Sequence, residues 1–380
     1  MLQCALTNMA GDVTVSHAGT KLHYAHPALE PNIVTNPLRA VARFCQRRIG
    51  WRRVGLVLSV AIIAAAAAVL YRMLNGIDVD DVFDAISSTR WQSVAIAAAF
   101  VAAGYFTLTF YDLYALRTIG RSEIPYRIAA LAGFTSYSVG HNLGASVFTG
   151  SAVRYRIYSA HGLDAIDVAK VCFVAGLTFW LGNAAVLGLG IAYQPEAASA
   201  IDQLPPEINR LIACVVLAAL VGYVGWVWNG RRVIGKGAFK VTLPNGPLTL
   251  LQIAIGIVDL AFCALAMHAL LPGEPAIDFI TLAVVFVSAT LLGFASHSPG
   301  GIGVFDAAML VALYHFDREE LIASLLLFRL LYYITPFACA LLVLGVRELV
   351  VGVGGATSWV PPRKIRASAP IRTEIDRDPQ

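Results

Sequence analysis

The sequence predicts an all-α polytopic membrane protein with about six full spans and two broken, re-entrant-type helical hairpins in an inverted-topology repeat. Three observations carry that prediction. Of 380 residues, 58% are hydrophobic and 14% charged, with a mean hydropathy of +0.69. A soluble domain carries about 25% charge. The charges are also sorted, because basic and acidic clusters alternate between apolar runs. Finally, two apolar runs are interrupted by glycine-rich stretches, Gly140-His141-Asn142-Leu143-Gly144 and Ser296-His297-Ser298-Pro299-Gly300-Gly301-Ile302-Gly303. A helix break in lipid frees backbone groups that have no water partner, so it is tolerated where protein or a wet cavity surrounds it.

Residues 1–38 are mixed and polar and are expected to be a disordered N-terminal extension. They lack the basic-then-apolar order of a signal peptide. Residues 39–53 are a basic juxtamembrane segment with Arg39, Arg43, Arg47, Arg48, Arg52 and Arg53. A span needs about 20 apolar residues, and residues 54–74 supply the first. The loop after it holds Asp78, Asp80, Asp81 and Asp84. Residues 91–116 form the second span, closed by Arg117, Arg121 and Arg127. The first broken run, 128–153, leads to Arg154 and Arg156. Residues 165–193 form the third span, before an acidic loop with Glu196, Asp202 and Glu207. The fourth span, 211–228, ends at Arg231, Arg232, Lys236 and Lys240. The fifth, 248–271, ends at Glu274 and Asp278. The second broken run follows, then Asp317, Glu319 and Glu320, and then the sixth span, 321–346. The membrane domain is thus 54–350, and 351–380 is expected to be a disordered, basic cytoplasmic tail.

Charge parity decides how the broken runs cross. Lysine and arginine mark the cytoplasmic side. If each broken run crossed once, basic loops would fall on both sides. If each enters and leaves on the same side, every basic cluster lies inside and every acidic loop outside. The first hairpin then opens to the cytoplasm and the second to the outside, with both termini cytoplasmic. Interrupted segments at matching places in two inverted halves point to a transporter binding site. Asp112-Leu113 before the first break and Asp259-Leu260 before the second echo that symmetry.

Ionisable residues within spans are costly and face a cavity or a partner. Here they are Asp112, Lys170, Asp259, Asp306 and Arg329. Arg329 is too deep to snorkel; it either pairs with Asp306 or Asp259 or lies on a substrate path, and pairing does not exclude binding. Lys170 is expected to snorkel to the cytoplasmic face, and Asp112 could sit at that interface. Arg154 and Arg156 suit bidentate phosphate recognition. The breaks supply helix N-termini that favour anions. An anionic lipid headgroup fits that pair, and so does a plain positive-inside anchor. His141 and His297 are expected to hydrogen-bond freed backbone or substrate.

Several classes lack support. There is no GxxxxGK[ST] loop for direct ATP coupling and no HExxH or GxSxG hydrolase signature. Cys4, Cys45, Cys172, Cys214, Cys263 and Cys339 contain no CxxC pair, so no zinc site or disulfide framework is indicated. No cofactor, metal or nucleic-acid partner is expected.

Three motifs then resemble one family. They are Gly140 to Gly144 with Gly150-Ser151-Ala152-Val153-Arg154-Tyr155-Arg156-Ile157-Tyr158 and Gly162-Leu163; Pro299-Gly300-Gly301-Ile302-Gly303-Val304-Phe305-Asp306; and Arg329-Leu330-Leu331-Tyr332-Tyr333-Ile334-Thr335-Pro336-Phe337. In order and content, over about residues 50–350, they resemble the lysylphosphatidylglycerol synthase transmembrane-region family. The resemblance implies the flippase half of the bifunctional multiple-peptide-resistance proteins, which moves aminoacylated phosphatidylglycerol to the outer leaflet. Those proteins carry a soluble aminoacyl-tRNA-dependent transferase domain after the membrane part. Here residues 351–380 follow the last span, so the expectation is a stand-alone lipid translocase of the cell (inner) membrane without synthase activity.

Carried across, the resemblance assigns Arg154, Arg156, Asp306 and Arg329 to the lipid path. His141, Asn142, His297, Ser298, Gly300 and Gly301 in the breaks are further candidate substrate-binding residues, and Asp112 and Asp259 are candidate charge partners. The expected partners are a membrane phospholipid, a separately encoded lipid synthase and a second copy of the chain. Two alternatives stay open: a non-transporting lipid-binding scaffold, and an intramembrane enzyme using His141 or His297 as base.

Overall fold

The computed structural model describes residues 89–353 apart from 144–145, 231, 238 and 297. The expected first span, the N-terminal extension, the basic segment 39–53 and the tail from 354 lie outside the described residues, as do Gly144 and His297.

Eleven α-helices are described: α1 (Trp91–Thr118), α2 (Tyr126–Leu143), α3 (Ser146–Tyr158), α4 (Ala165–Tyr193), α5 (Glu196–Asp202), α6 (Pro206–Trp228), α7 (Gly246–Leu270), α8 (Phe279–Ala295), α9 (Val304–Ala312), α10 (Arg318–Phe328) and α11 (Thr335–Val353). Short 3₁₀ turns occupy Ser159–His161 and Pro299–Gly301, and a π-helical segment, Arg329–Ile334, joins α10 to α11. Among the described residues, five helical runs are long and apolar enough to cross a membrane. These are α1, α4, α6, α7 and the continuous run Arg318–Leu349. They correspond to the second through sixth expected spans. At about 1.5 Å per residue, the 28 residues of α1 reach about 42 Å, beyond the hydrocarbon thickness of about 30 Å.

Acidic residues that mark the loops also start the helices. Asp164 accepts from the Asp167 amide at 2.7 Å, and Asp278 from the Ile280 and Thr281 amides at 2.9 and 3.2 Å. Asp317 caps α10 through the amides of Glu319 and Glu320. A helix N-terminus leaves amides without intrahelical partners, and a carboxylate satisfies them while complementing the helix dipole. The loop between α6 and α7 holds a feature the sequence reading did not anticipate, a two-stranded antiparallel ribbon of β1 (Val233–Ile234) and β2 (Val241–Thr242).

Helix α7 is central and packs on both α1 and α4. Its crossing with α4 is a glycine contact. A Cβ on Gly182 or Gly256 would lie 2.7 Å from the other's Cα, so the two backbones touch. Close backbone approach through small residues drives association in lipid, where apolar burial gives helices no advantage over lipid tails. Beside the crossing, Gln252 donates to the Thr178 hydroxyl at 2.8 Å. Helix α6 lies at the periphery, with Leu211, Val215, Val221, Trp226 and Trp228 exposed, as a lipid-facing helix would be.

Both broken runs fold back on themselves. In α2–α3, a Cβ on Gly150 would sit 3.2 Å from the Ser136 carbonyl oxygen, so α3 returns along α2 at backbone contact. In α8–α9, Gly293 lies against Gly301 and Phe305, and the Phe286 and Phe305 rings are 5.6 Å apart. The pairs 293–301 and 286–305 move apart in step, which is an antiparallel return.

Candidate functional site

The last span carries Pro336 in its interior, and that residue explains the local backbone. Proline has no amide hydrogen, and its ring clashes with the carbonyl four residues earlier. The carbonyl affected is that of Tyr332. The chain responds with the π-helical turns of Arg329–Ile334. Such bulges occur frequently at functional sites. The loosened carbonyls find side-chain donors. Tyr105 Oη on α1 donates to the Tyr332 oxygen at 3.0 Å, and Asn142 Nδ2 at the tip of α2 donates to the Tyr333 oxygen at 3.2 Å. Thr335 Oγ1 donates to the Leu330 oxygen at 2.8 Å.

A prediction follows. Tyr105→Phe leaves the buried Tyr332 carbonyl without its donor and is expected to cost about 1–3 kcal/mol. In a Pro336→Ala background a backbone amide becomes able to serve that carbonyl, so the same substitution should cost less. A double-mutant cycle on thermal unfolding in detergent checks it; equal costs in both backgrounds would refute the coupling.

Arg329 opens the π-helical segment and ties it to the second break. Its Nη2 donates to both Asp306 carboxylate oxygens at 2.7 and 2.5 Å, and Nη1 donates to the Gly300 carbonyl at 3.2 Å. Its guanidinium lies 5.7 Å from the centre of the Tyr333 ring. The turn that presents the Gly300 carbonyl needs glycine, because Gly300, Gly301 and Gly303 have φ of +62°, +63° and +84°. Asp306 also accepts from the Gly303 amide at 3.0 Å, so one carboxylate both starts α9 and holds Arg329. This pair is partly open: the Arg329 and Asp306 side chains are 11% and 27% exposed. Ser296 and Ser298, whose hydroxyls lie 2.9 Å apart, lead into the glycine turn, where the Ser298 carbonyl accepts from the Gly301 amide at 3.1 Å.

The two breaks meet here. The His141 ring, one residue before Asn142, stands 5.5 Å from Phe294 at the end of α8 and 6.5 Å from Tyr332. The tip of the first hairpin, the end of the first arm of the second, and the π-helical segment therefore share one place. His141, Asn142, Ser298, Gly300, Gly301, Asp306 and Arg329 gather around it.

The remaining candidates are placed elsewhere. Arg154 is buried, and its fork is filled by Asp112 through contacts of 3.1, 3.0 and 2.7 Å. Tyr158 Oη adds a 2.7 Å bond to the same carboxylate, and the Arg154 guanidinium lies 4.8 Å from the centre of the Tyr137 ring. Asp112 does not reach an interface; it is 0% exposed. Arg156 pairs with Glu348 near the end of α11 at 2.7 Å. Asp259 is not the partner of Arg329. It accepts from Tyr111 Oη at 3.0 Å and makes no ion pair among the described residues. Lys170 lies 3.9 Å from Asp167 in the first turns of α4, in keeping with a residue reaching toward the helix end. Among the described residues, no group of three histidine, cysteine or acidic side chains is placed to hold a metal ion.

The sequence reading missed the tyrosines. Tyr105 holds a backbone carbonyl, Tyr158 a carboxylate, and Tyr137 and Tyr333 lie against the guanidinia. Pro336 was the available signal, since a proline inside a span predicts an orphaned carbonyl four residues before it.

No family model matches the chain. It is 29% identical over 269 residues to an uncharacterized protein of Synechocystis sp., an overlap covering 70% of this chain and 82% of the relative. It is 27% identical over 299 residues to inner membrane protein YbhN of Escherichia coli (strain K12), covering 77% and 92%. It is also 22% identical over 289 residues to phosphatidylglycerol lysyltransferase of Staphylococcus aureus, covering 76% of this chain and 33% of the enzyme. The chain thus matches nearly the whole of YbhN and about a third of the lysyltransferase. With its long apolar helices, the likeness to YbhN supports a membrane protein.

Proposed function

We propose that the protein is a lipid translocase of the bacterial cytoplasmic membrane. It moves an anionic or aminoacylated phospholipid between leaflets. One observation carries the reading: two broken hairpins meet at a half-open arginine–carboxylate pair inside a helical bundle. A charged headgroup crossing hydrocarbon unaided would be uncompensated. Arg329 offers a fork that matches phosphate as well as carboxylate. A phosphate arriving at the Gly300–Gly303 turn would compete with Asp306 for that fork. Asp306 can release it because its side chain is partly exposed and keeps the Gly303 amide.

In this reading the first hairpin enters from the cytoplasm, the second enters from outside, and the two halves form an inverted repeat. Arg154 and Arg156 act on the path indirectly, pinning the first hairpin to α1 and α11. The lysyltransferase supports the choice of cargo, since its name states an action on phosphatidylglycerol.

The test is leaflet-resolved. Purified protein in liposomes is supplied with fluorescent phosphatidylglycerol or its lysyl ester, and a membrane-impermeant quencher reports the lipid reaching the outer leaflet. A rate above that of protein-free liposomes for either lipid is expected. Equal rates for both lipids, with lipid still bound to the protein, would replace transport with the scaffold reading.

A further inference from the structure

Asp259 is unlike the other acids of the membrane domain. Asp112 has Arg154, and Asp306 has Arg329. Asp259 lies mid-way along α7 and is 4% exposed, and among the described residues no cation is paired with it. One oxygen, Oδ2, accepts from Tyr111 at 3.0 Å. The other, Oδ1, is buried, has no hydrogen-bond partner among the described residues and lies toward Gly104 of α1.

Its surroundings leave it uncompensated. It is faced from α1 by Tyr105 and Tyr111, from α2 by Tyr137, from its own helix by Cys263 and from the π-helical segment by Tyr332. The charged residues of the other packed helices lie in their first turns, away from the middle of α7: Asp167 and Lys170 on α4, Glu207 and Arg210 on α6, and Arg318, Glu319 and Glu320 on α10. Helix α4 brings Thr178 to Gln252, and its charged Asp167 and Lys170 face one another in its first turns. Helix α6 has Cys214 and Tyr223 in its middle, α8 has no titratable residue, and α10 reaches Leu270 through Ser324. The two arginines beyond the tyrosines, buried Arg154 and partly exposed Arg329, are engaged by other carboxylates.

A lone carboxylate in such a place costs several kcal/mol. A neutral acid with one unmet hydroxyl costs only about 1–3 kcal/mol. We propose that Asp259 is a proton-binding site that couples proton exchange to lipid movement. In the closed bundle Oδ1 holds the proton and Oδ2 accepts from Tyr111. When water reaches Oδ1 the O–H bond breaks, the proton leaves as hydronium, and the bond re-forms on closure; no electron changes hands. Asp259 and Cys263 share the α7 face on which Cys263 Sγ meets Tyr332 Oη at 3.4 Å. Tyr332 belongs to the segment that carries Arg329, so the proton site and the headgroup site abut the same π-helical turns. The coupling rests on the transport reading above; the proton site does not.

Two measurements separate them. Infrared difference spectra of the purified full chain in detergent at neutral pH should show the carbonyl stretch of a protonated carboxyl. Asp259→Asn should remove that band and Asp306→Asn should leave it. Tyr111→Phe should raise its frequency, because the carbonyl loses a hydrogen bond. Absence of the band in the wild type, or its persistence in Asp259→Asn, overturns the proton site. In liposomes carrying fluorescent phosphatidylglycerol, an imposed pH gradient should change the wild-type rate several-fold and leave Asp259→Asn unresponsive. Equal responses overturn the coupling. If no lipid moves under any gradient while the band behaves as described, transport and coupling fall together and the proton site stands.

Discussion

Arg154→Ala is expected to destabilise the protein by about 3–5 kcal/mol, the effect of stranding one member of a buried ion pair. Asp112 is 0% exposed and receives three contacts from Arg154 and one from Tyr158. Removing the guanidinium leaves a carboxylate with a single donor in a place water does not reach. Arg154→Lys keeps the charge but loses the two-nitrogen fork, so an intermediate loss is expected. The double variant Asp112→Leu, Arg154→Met removes both charges at similar volume and should be far milder than either single loss, because a buried pair contributes little beyond its own desolvation. Thermal unfolding of the purified variants in one detergent decides the matter. A cost below about 1 kcal/mol for Arg154→Ala would mean that the pair is not buried as described.

Arg329→Ala is expected to behave in the opposite way, with a small loss of stability and a large loss of lipid movement. Its partner Asp306 is 27% exposed and keeps the Gly303 amide, so water and backbone can take over from the guanidinium. A pair this open contributes about 1 kcal/mol or less to folding. Translocation of fluorescent phosphatidylglycerol, however, should fall at least about tenfold, equivalent to about 1.4 kcal/mol. Arg329→Lys should recover part of the rate, since a point charge still attracts phosphate without matching its geometry. Wild-type movement by Arg329→Ala would exclude Arg329 from the path. The two arginines are the same residue type in the same kind of sequence context. Their expected consequences differ because one carboxylate is sealed and the other is not.

Much of the fold was legible because its signals are local. Five of the six expected spans correspond to helical runs, set by the length of apolar stretches. Both breaks are helix–turn–helix returns, and the second needs its glycines because Gly300, Gly301 and Gly303 are left-handed. Pairing of Arg329 with Asp306, one of the two partners read from the sequence, is present. The ribbon between α6 and α7 escaped notice because two-residue strands leave no alternation to read.

The site was less legible. Arg154 and Arg156 stood out as phosphate-binding or positive-inside arginines after a helix break, yet each faces a carboxylate supplied by a distant helix. Nothing in the spacing of Arg154 from Asp112, 42 residues earlier, signals a bidentate contact. The π-helical segment is a clearer case still. Pro336 announces the orphaned Tyr332 carbonyl, but the donor that answers it, Tyr105, lies 227 residues away, and the next carbonyl, that of Tyr333, is served by Asn142, 191 residues away.

By itself, then, the sequence determined where the long apolar helices run, where they break and which residues carry charge into the bundle. Those properties follow from hydropathy, proline and glycine within a few residues of one another. Which charge is sealed, which is open and which lacks a paired cation among the described residues was decided only by the packing of α1, α4, α7 and the two hairpins. Burial and partner choice depend on helices distant in sequence: Arg154 is sealed against Asp112, Arg329 is partly open beside Asp306, and Asp259 has no paired cation among the described residues.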